Sequence, residues 1–216
     1  MVQIGDTSSA NNATYVKNES NLIDGFARKV YFTRKARINT SNRLKNYDTL
    51  CQILNVYYSV VLVALSIWSL VFVNDQRLVS FLILVFSLAL TMFSIFYSSR
   101  NFQERYTNIK SHYINLDKFY NKIKLTTNKE FEDKNIRIKI YEEYSDLLEM
   151  VENHSKYDYL TARIYSDERD QIEFKTKLYF YFVKVLKYIL AIILFLAPLL
   201  LICLLIFISE KLAFKI

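Results

Sequence analysis

Residues 53–97 read ILNVYYSVVLVALSIWSLVFV-NDQR-LVSFLILVFSLALTMFSIFY, and two apolar runs, Ile53–Val73 and Leu78–Tyr97, flank four polar residues. Neither run contains a charged residue, and they are 21 and 20 residues long. An α-helix needs roughly 20 apolar residues to cross a hydrocarbon core of about 30 Å. Because the linker is so short, we predict a tight transmembrane hairpin.

A third run of 21 residues, Tyr188–Ile208, is equally apolar and lacks the charged face of a helix in a soluble core. Glycine and proline, which turns between strands draw on heavily, are absent from Phe26 to Ala197. The predicted fold class is therefore an all-α membrane protein. It has an N-terminal two-helix transmembrane hairpin, long cytoplasmic helices and a third, C-terminal transmembrane helix.

The basic residues predict the orientation of the spans. Eight Lys and Arg precede the first span, Arg77 alone lies in the hairpin tip, and seventeen separate the second and third spans. Because Lys and Arg concentrate on the cytoplasmic side, we place the N-terminus and middle segment there, and the tip and C-terminus outside. The middle segment balances its seventeen basic residues with fifteen acidic ones, and the excess before the first span suits anionic lipid. Direct nucleic-acid binding is not expected.

The chain is predicted to contain five segments. The second span and residues 98–125 lack any Gly or Pro between them and are expected to form one continuous rod. A further helix is expected near residues 129–153 and a shorter one near 159–165. The segments are a disordered or loosely ordered N-terminus (1–21), a basic amphipathic cytoplasmic helix (22–52), the hairpin (53–97, spans 53–73 and 78–97), a cytoplasmic helical region (98–177) and the C-terminal transmembrane helix with a short tail (178–216, core 188–208).

A heptad pattern follows the second span, with apolar residues at alternating steps of four and three, as in a coiled-coil seam. Intramolecular packing in a cytoplasmic bundle is favoured over pairing between protomers, and the two can coexist. This candidate oligomer seam comprises Phe102, Tyr106, Ile109, Tyr113, Leu116, Tyr120 and Ile123.

Small polar residues form a stripe along one face of each hairpin helix, whereas the third span has none and is expected to be peripheral or lipid-facing. Such stripes can let two membrane helices approach closely, or they can line a water-accessible passage. The pattern leaves both interpretations open. The stripes comprise Asn55, Ser59, Ser66 and Ser69 in the first span, and Ser80, Ser87, Thr91 and Ser94 in the second.

Catalytic and metal-binding patterns are lacking. His112 and His154 are the only histidines, and no metal-ligand motif surrounds them. Two glycines cannot build a Gly-rich phosphate loop, no nucleophile motif is present, and Cys51 and Cys203 fit neither a disulfide framework nor a zinc site. We predict no catalytic residue, no cofactor, no metal and no enzymatic activity.

Several short motifs carry a resemblance to a known family. The chain resembles the SLATT proteins, bacterial two-span membrane effectors associated with SMODS nucleotidyltransferases and SLOG nucleotide sensors. A second group of motifs is similar to the branch found beside reverse transcriptases in anti-phage loci. The resemblance covers roughly residues 26–165, and the third span departs from it. The motifs are Arg34-Lys35-Ala36-Arg37, Arg43-Leu44 and Tyr57-Tyr58-Ser59, and, for the branch, Glu152-Asn153-His154 and Asp158-Tyr159.

The resemblance implies a homo-oligomeric effector in the bacterial inner membrane that opens a pore and kills or arrests the cell. A reverse transcriptase or nucleotide sensor encoded nearby would activate it. The passage would be lined by Ser87, Thr91 and Ser94 with the first-span serines, and Glu152, His154 and Asp158 would fix a helix junction or receive the partner. The alternatives are a non-conducting membrane anchor that docks a soluble enzyme or sensor, and a transport accessory subunit.

Overall fold

The structure is a computed structural model that describes residues 7–72, 76–167 and 169–213, and within these ranges it contains helices and no strand. Three helical stretches are long and apolar enough to cross a membrane, as the sequence predicted. The all-α fold class is therefore confirmed. The helices are α1 (Thr7–Phe72), α2 (Gln76–Ser99), α3 (Phe102–Leu125), α4 (Asn128–Glu132), α5 (Lys134–Glu149), α6 (Lys156–Ile164) and α7 (Phe174–Ala213), with a 3₁₀ turn at Arg169–Gln171.

The chain divides into two compact units. The first unit combines Met1–Arg43 with Arg105–Glu173, and the second unit combines Leu44–Glu104 with Phe174–Ile216. Helix α1 contributes residues to both units, and α2 and α7 belong to the second.

Helix α1 differs from the segments expected from the sequence. It runs without interruption from Thr7 to Phe72, through residues 7–21, which we expected to be loosely ordered, and through the expected boundary at residues 52 and 53. No proline interrupts its backbone hydrogen bonds, and Gly25 alone among its residues lacks a side chain. Residues 73–75, the end of the predicted first span and the first half of the predicted tip, lie outside the described residues, and Gln76 begins α2.

The predicted rod joining the second span to the cytoplasmic helix is wrong. Helix α2 ends at Ser99 and α3 begins at Phe102, because Asn101 takes a left-handed conformation with φ of 46°. Asparagine tolerates this region better than most residues and often ends helices. The helix expected at residues 129–153 is also divided, at Asp133, whose carboxylate accepts a hydrogen bond from the Asn135 amide and caps α5.

Large apolar side chains from α1, α3, α4 and α5 form the core of the first unit. The Phe119 and Tyr144 rings stack with centroids 5.8 Å apart, and the Phe26 and Tyr144 rings make a T-shaped contact with centroids 5.4 Å apart. Among the described residues, the buried members of this core are Ile23, Phe26, Val30, Leu116, Phe119, Ile123, Phe131, Ile140 and Tyr144.

The heptad positions of α3 divide into two groups. Ile109, Leu116 and Ile123 are at most 1% exposed, and Leu116 and Ile123 belong to the core of the first unit. The other four positions are half-buried, and one of them, Phe102, packs in the second unit against the rings of Tyr47 and Tyr97. A contact between protomers through this seam would therefore use the half-buried aromatic positions.

In the second unit, hydrogen bonds join the two hairpin helices. The Ser94 hydroxyl donates to Asn55 Oδ1 at 2.7 Å, and the Tyr97 hydroxyl donates to the buried Asp48 carboxylate. Apolar side chains remain exposed along both helices, for example Leu70 at 71% and Ile95 at 66%. Exposed apolar surface of this extent suits contact with lipid.

The third span also bonds to the first, although we expected it to be peripheral. Proline lacks an N–H, so Pro198 leaves the carbonyl of Leu194, four residues earlier in α7, without its helical donor. The Tyr58 hydroxyl donates to this carbonyl at 2.8 Å. In hydrocarbon no water can replace the lost donor, so this side chain satisfies the carbonyl that the proline frees.

We expect Tyr58→Phe to destabilise the protein by about 1 kcal/mol, the usual net contribution of one hydrogen bond. In a Pro198→Ala background the same change should cost little, because the alanine N–H can bond to Leu194. Unfolding of the four purified variants in detergent gives the coupling energy.

Tyr57→Phe is the control for this cycle. The Tyr57 hydroxyl donates to the Phe195 carbonyl at 3.2 Å. Four residues after Phe195 stands Leu199, which has an N–H, so this carbonyl keeps its helical donor. If Tyr58→Phe lowered the free energy of unfolding equally with and without Pro198, the Tyr58 hydroxyl would not be replacing the donor that the proline removes.

Candidate functional site

The motif residues 152–159 lie where α5 ends and α6 begins. Ser155 caps α6: its hydroxyl accepts from the Asp158 amide at 3.1 Å and donates to Asp158 Oδ2 at 2.7 Å. The Ser155 amide also donates to Asp158 Oδ2, at 3.4 Å, and with the bond from the Asp158 amide it forms a capping box, which satisfies amides at the start of the helix. Glu152, Asn153 and His154 form the connection between the two helices.

Helix α1 holds Asp158 from the other side. Arg43 donates from Nε to Oδ1 at 3.0 Å and from Nη2 to Oδ2 at 2.8 Å, and Thr40 donates to Oδ2 at 2.9 Å. Asn39 donates to the Asp158 carbonyl at 3.1 Å. Burial by itself raises the pKa of this carboxyl, but the bonds from Arg43, Ser155 and Thr40 outweigh it and lower the pKa. The residue is 2% exposed and stays ionised.

Arg37 and His112 cap the other end of the junction. Arg37, 1% exposed, donates from Nη2 to the Leu148 carbonyl at 3.1 Å, and His112 Nε2 bonds to the Leu147 carbonyl. These carbonyls are in the last turn of α5, where helical partners are missing and positive charge is favourable. Arg37 Nη1 also lies 2.9 Å from His112 Nδ1. Because arginine can only donate, Nδ1 accepts and Nε2 carries the proton, so His112 is neutral.

The remaining motif residues are less constrained. Arg105 bonds both carboxylate oxygens of Glu152, at 2.9 Å and 2.8 Å, but the two side chains are 38% and 41% exposed. The His154 ring stacks on Tyr159 with centroids 5.8 Å apart. His154 Nδ1 is buried without a hydrogen-bond partner in the described part of the chain, and Asn153 is exposed.

Two of the family-like motifs thus meet at one place, because Arg43 bonds to Asp158, 115 residues later in the sequence. The side chains of α1 at the junction come from residues 37–43, and their partners come from residues 148–158. Sequence reasoning missed His112, although a polar residue between Ile109 and Leu116 on the apolar face of α3 was a signal. The polar atoms hold helix ends, and among the described residues no three His, Cys, Asp or Glu side chains could hold a metal ion.

The small polar residues of the hairpin have two kinds of surroundings. Ser94 and Asn55 bond to each other between α1 and α2, and Ser69 is 3% exposed without a hydrogen-bond partner among the described residues. Ser87 and Thr91 are exposed, and their hydroxyls bond to the carbonyls of Leu84 and Ser87 in their own helix, at 2.8 Å and 2.9 Å. Ser59 and Ser66 bond likewise to carbonyls of α1, and Ser80 is exposed.

Residues 19–209 match the sequence model of the SMODS and SLOG-associating 2TM effector domain family 5. The match includes most of α7, beyond the region over which the motifs suggested a resemblance. It does not distinguish the reverse-transcriptase-associated branch, which stays a prediction. Neither a curated protein nor a solved structure matches the chain.

We expect Arg43→Met to destabilise the protein by about 3 kcal/mol, because it leaves the Asp158 carboxylate buried without its positive partner. Arg105→Met is the matched control, since it removes a pair of similar geometry at the surface, where such pairs contribute about 0–1 kcal/mol. Chemical unfolding of both variants measures the difference. Equal losses would show that burial does not determine the contribution of the pair.

Acid should weaken the first unit through its histidines. Burial, and then the Arg37 charge, lower the pKa of His112 and His154 below the ordinary 6.5. The unfolded chain therefore takes up protons first as pH falls through about 6.5, so stability is lost below that value. The Asp158 contribution begins to be lost only at more acidic pH, as pH falls through the ordinary carboxyl pKa of 3.8, and the loss continues below that value.

Unfolding midpoints between about pH 7.5 and pH 5.5 should fall for the wild type and fall less for His112→Gln, whose amide can both donate and accept. Tyr144 and Asp158 also lie near Arg37 and the two histidines, but neither titrates between these pH values. The pH dependence in this range can therefore be assigned to the histidines. An unchanged slope in His112→Gln would exclude His112 as a source of the pH dependence.

Proposed function

Because the chain belongs to the SMODS and SLOG-associating 2TM effector domain family 5, we propose that it is the pore-forming membrane effector of a bacterial conflict system. Several copies assemble, open a passage in the membrane, and kill or arrest the cell when a partner activates them. The family's description as effector domains supports a membrane effector, and the hairpin supplies the support for a pore.

The observation that carries the proposal is the exposure of Ser87 and Thr91 on α2. Their neighbours Leu84 and Leu88 are 65% and 58% exposed, as lipid-facing residues would be. The two hydroxyls lie four residues apart and so share one helix face. Assembly of several hairpins around this face would place the two hydroxyls along a wetted passage.

We further propose that the protein lies in the bacterial inner membrane with its N-terminus and first unit in the cytoplasm, as the distribution of Lys and Arg favours. There the α5–α6 junction is accessible to a soluble partner. A nucleotide sensor or a reverse transcriptase encoded nearby fits this role. The chain itself supplies no catalysis in this scheme.

One observation favours the alternative, a non-conducting anchor that docks such a partner. Ser59, Ser66, Ser87, Thr91 and Ser94 each find a hydrogen-bond acceptor within the same chain. Their hydroxyls therefore need no water-filled passage to be satisfied. A measurement of ion conduction distinguishes the pore from the anchor, because only the pore conducts ions.

We expect induced expression of the wild type, with its neighbouring gene, to depolarise bacteria, and Ser87→Leu/Thr91→Leu to abolish this. Leucine removes the hydroxyls and fills the passage with apolar side chains. Membrane potential is followed with a voltage-sensitive dye, and each variant is first confirmed in the membrane fraction.

Leu88→Phe/Met92→Phe is the matched control, since it adds bulk at exposed positions directly after each hydroxyl on the same helix. It should still depolarise the cells. Equal depolarisation by the leucine variant would remove the hydroxyl face from the mechanism. No depolarisation by the activated wild type would favour the anchor.

A further inference from the structure

The second unit contains a cavity of about 400 Å³ between α1, α2 and α7. Ligand pockets in proteins generally occupy about 300–1,000 Å³, so the cavity is large enough for a ligand. Its walls include Leu54, Tyr58 and Leu65 of α1, Phe86 and Phe93 of α2, and Pro198 of α7.

The chemistry of the walls restricts the ligand to an apolar one. Among the lining side chains only Tyr58 and Cys51 carry a heteroatom. The Tyr58 hydroxyl already donates its proton to the Leu194 carbonyl at 2.8 Å. A polar metabolite would therefore lose its hydration without finding donors, and a water would lack the two to four polar partners it needs.

The shape of the cavity suits a chain rather than a compact molecule. Its lining on α1 extends from Leu50 to Leu65, which corresponds to about 22 Å at 1.5 Å per residue. Phe86 and Phe93 are each 38% exposed, so part of the apolar lining is accessible from outside the protein beside α2. Val56 and Val60 of α1 are also exposed, but they lie on the face of α1 away from the lining.

We propose that this cavity binds one acyl chain of a bilayer phospholipid, which occupies the space between α7 and the hairpin. An empty cavity of this size forfeits van der Waals contacts along its entire lining. In a membrane, acyl chains are the apolar chains available at the opening. The lipid then forms part of the contact between the third span and the first two, whether or not the protein conducts ions.

Photolabelling in reconstituted vesicles tests the proposal. The full chain is placed in vesicles of phosphatidylethanolamine and phosphatidylglycerol, with a fraction of the phosphatidylglycerol carrying a diazirine in one acyl chain. After irradiation, mass spectrometry maps the adducts. We expect adducts on the lining residues of α1, α2 and α7 to exceed those on the outward residues around Val56 and Val60 of α1.

Ala89→Phe/Ala197→Leu fills the cavity with protein side chains, because both alanines line it. Labelling of the lining should then fall to the level of the outward surface, which itself should not change. Ala64→Phe is the control, since Ala64 is exposed on α1 and does not belong to the lining. Circular dichroism and gel filtration confirm that each variant folds.

The single variants Ala89→Leu and Ala197→Leu add less bulk and should lower the labelling in part, so the test stands if the double variant fails to fold. Labelling spread evenly over all lipid-facing surfaces would overturn the proposal. Lining adducts that persist in the folded, filled variants would overturn it as well.

Discussion

Helix ends and interrupted helices leave backbone groups without partners, and burying such groups unbonded is costly in both a core and a membrane. In this protein α1 supplies the missing partners in α5 and α7, and it holds the carboxylate that caps α6. Arg37 donates to the last turn of α5, Arg43 and Thr40 hold the Asp158 carboxylate that starts α6, and Tyr58 donates to the carbonyl that Pro198 frees in α7. Each contact is made by a side chain of one uninterrupted helix, so the spacing of these residues along α1 determines which elements it can hold within each unit.

Burial determines how strongly each contact holds. Asp158 is almost inaccessible and has donors from Arg43, Thr40 and Ser155, so removing one donor leaves a charge that water cannot reach. The pair between Arg105 and Glu152 has similar distances but remains hydrated. Arg37 is a buried cation whose described partners are a carbonyl and an imidazole, and this explains why His112 must stay neutral beside it. A proton on His112 Nδ1 would face an arginine that cannot accept it.

The sequence was sufficient where the signal is local and strong. Three long uncharged runs predicted the spans, and the heptad pattern identified the face of α3 on which Leu116 and Ile123 are buried. It was insufficient for the break at Asn101, because an asparagine in the left-handed conformation costs little and leaves no pattern. It was also insufficient for pairings such as Arg43 with Asp158, 115 residues apart. The motifs named both residues, but only the folded chain shows that one bonds to the other.

The stripe of small polar residues on α2 has two parts with different consequences for conduction. Ser94 bonds to Asn55 between α1 and α2, so the end of the stripe near Ser94 is used in forming the hairpin. Ser87 and Thr91, farther along the same face, remain exposed, which leaves this part of the stripe without a contact to α1 within a single chain. A single hairpin cannot surround water with one face, whereas several copies arranged around it can. Under the proposed function a passage therefore requires assembly, and a partner that controls assembly through the helices of the first unit would control conduction.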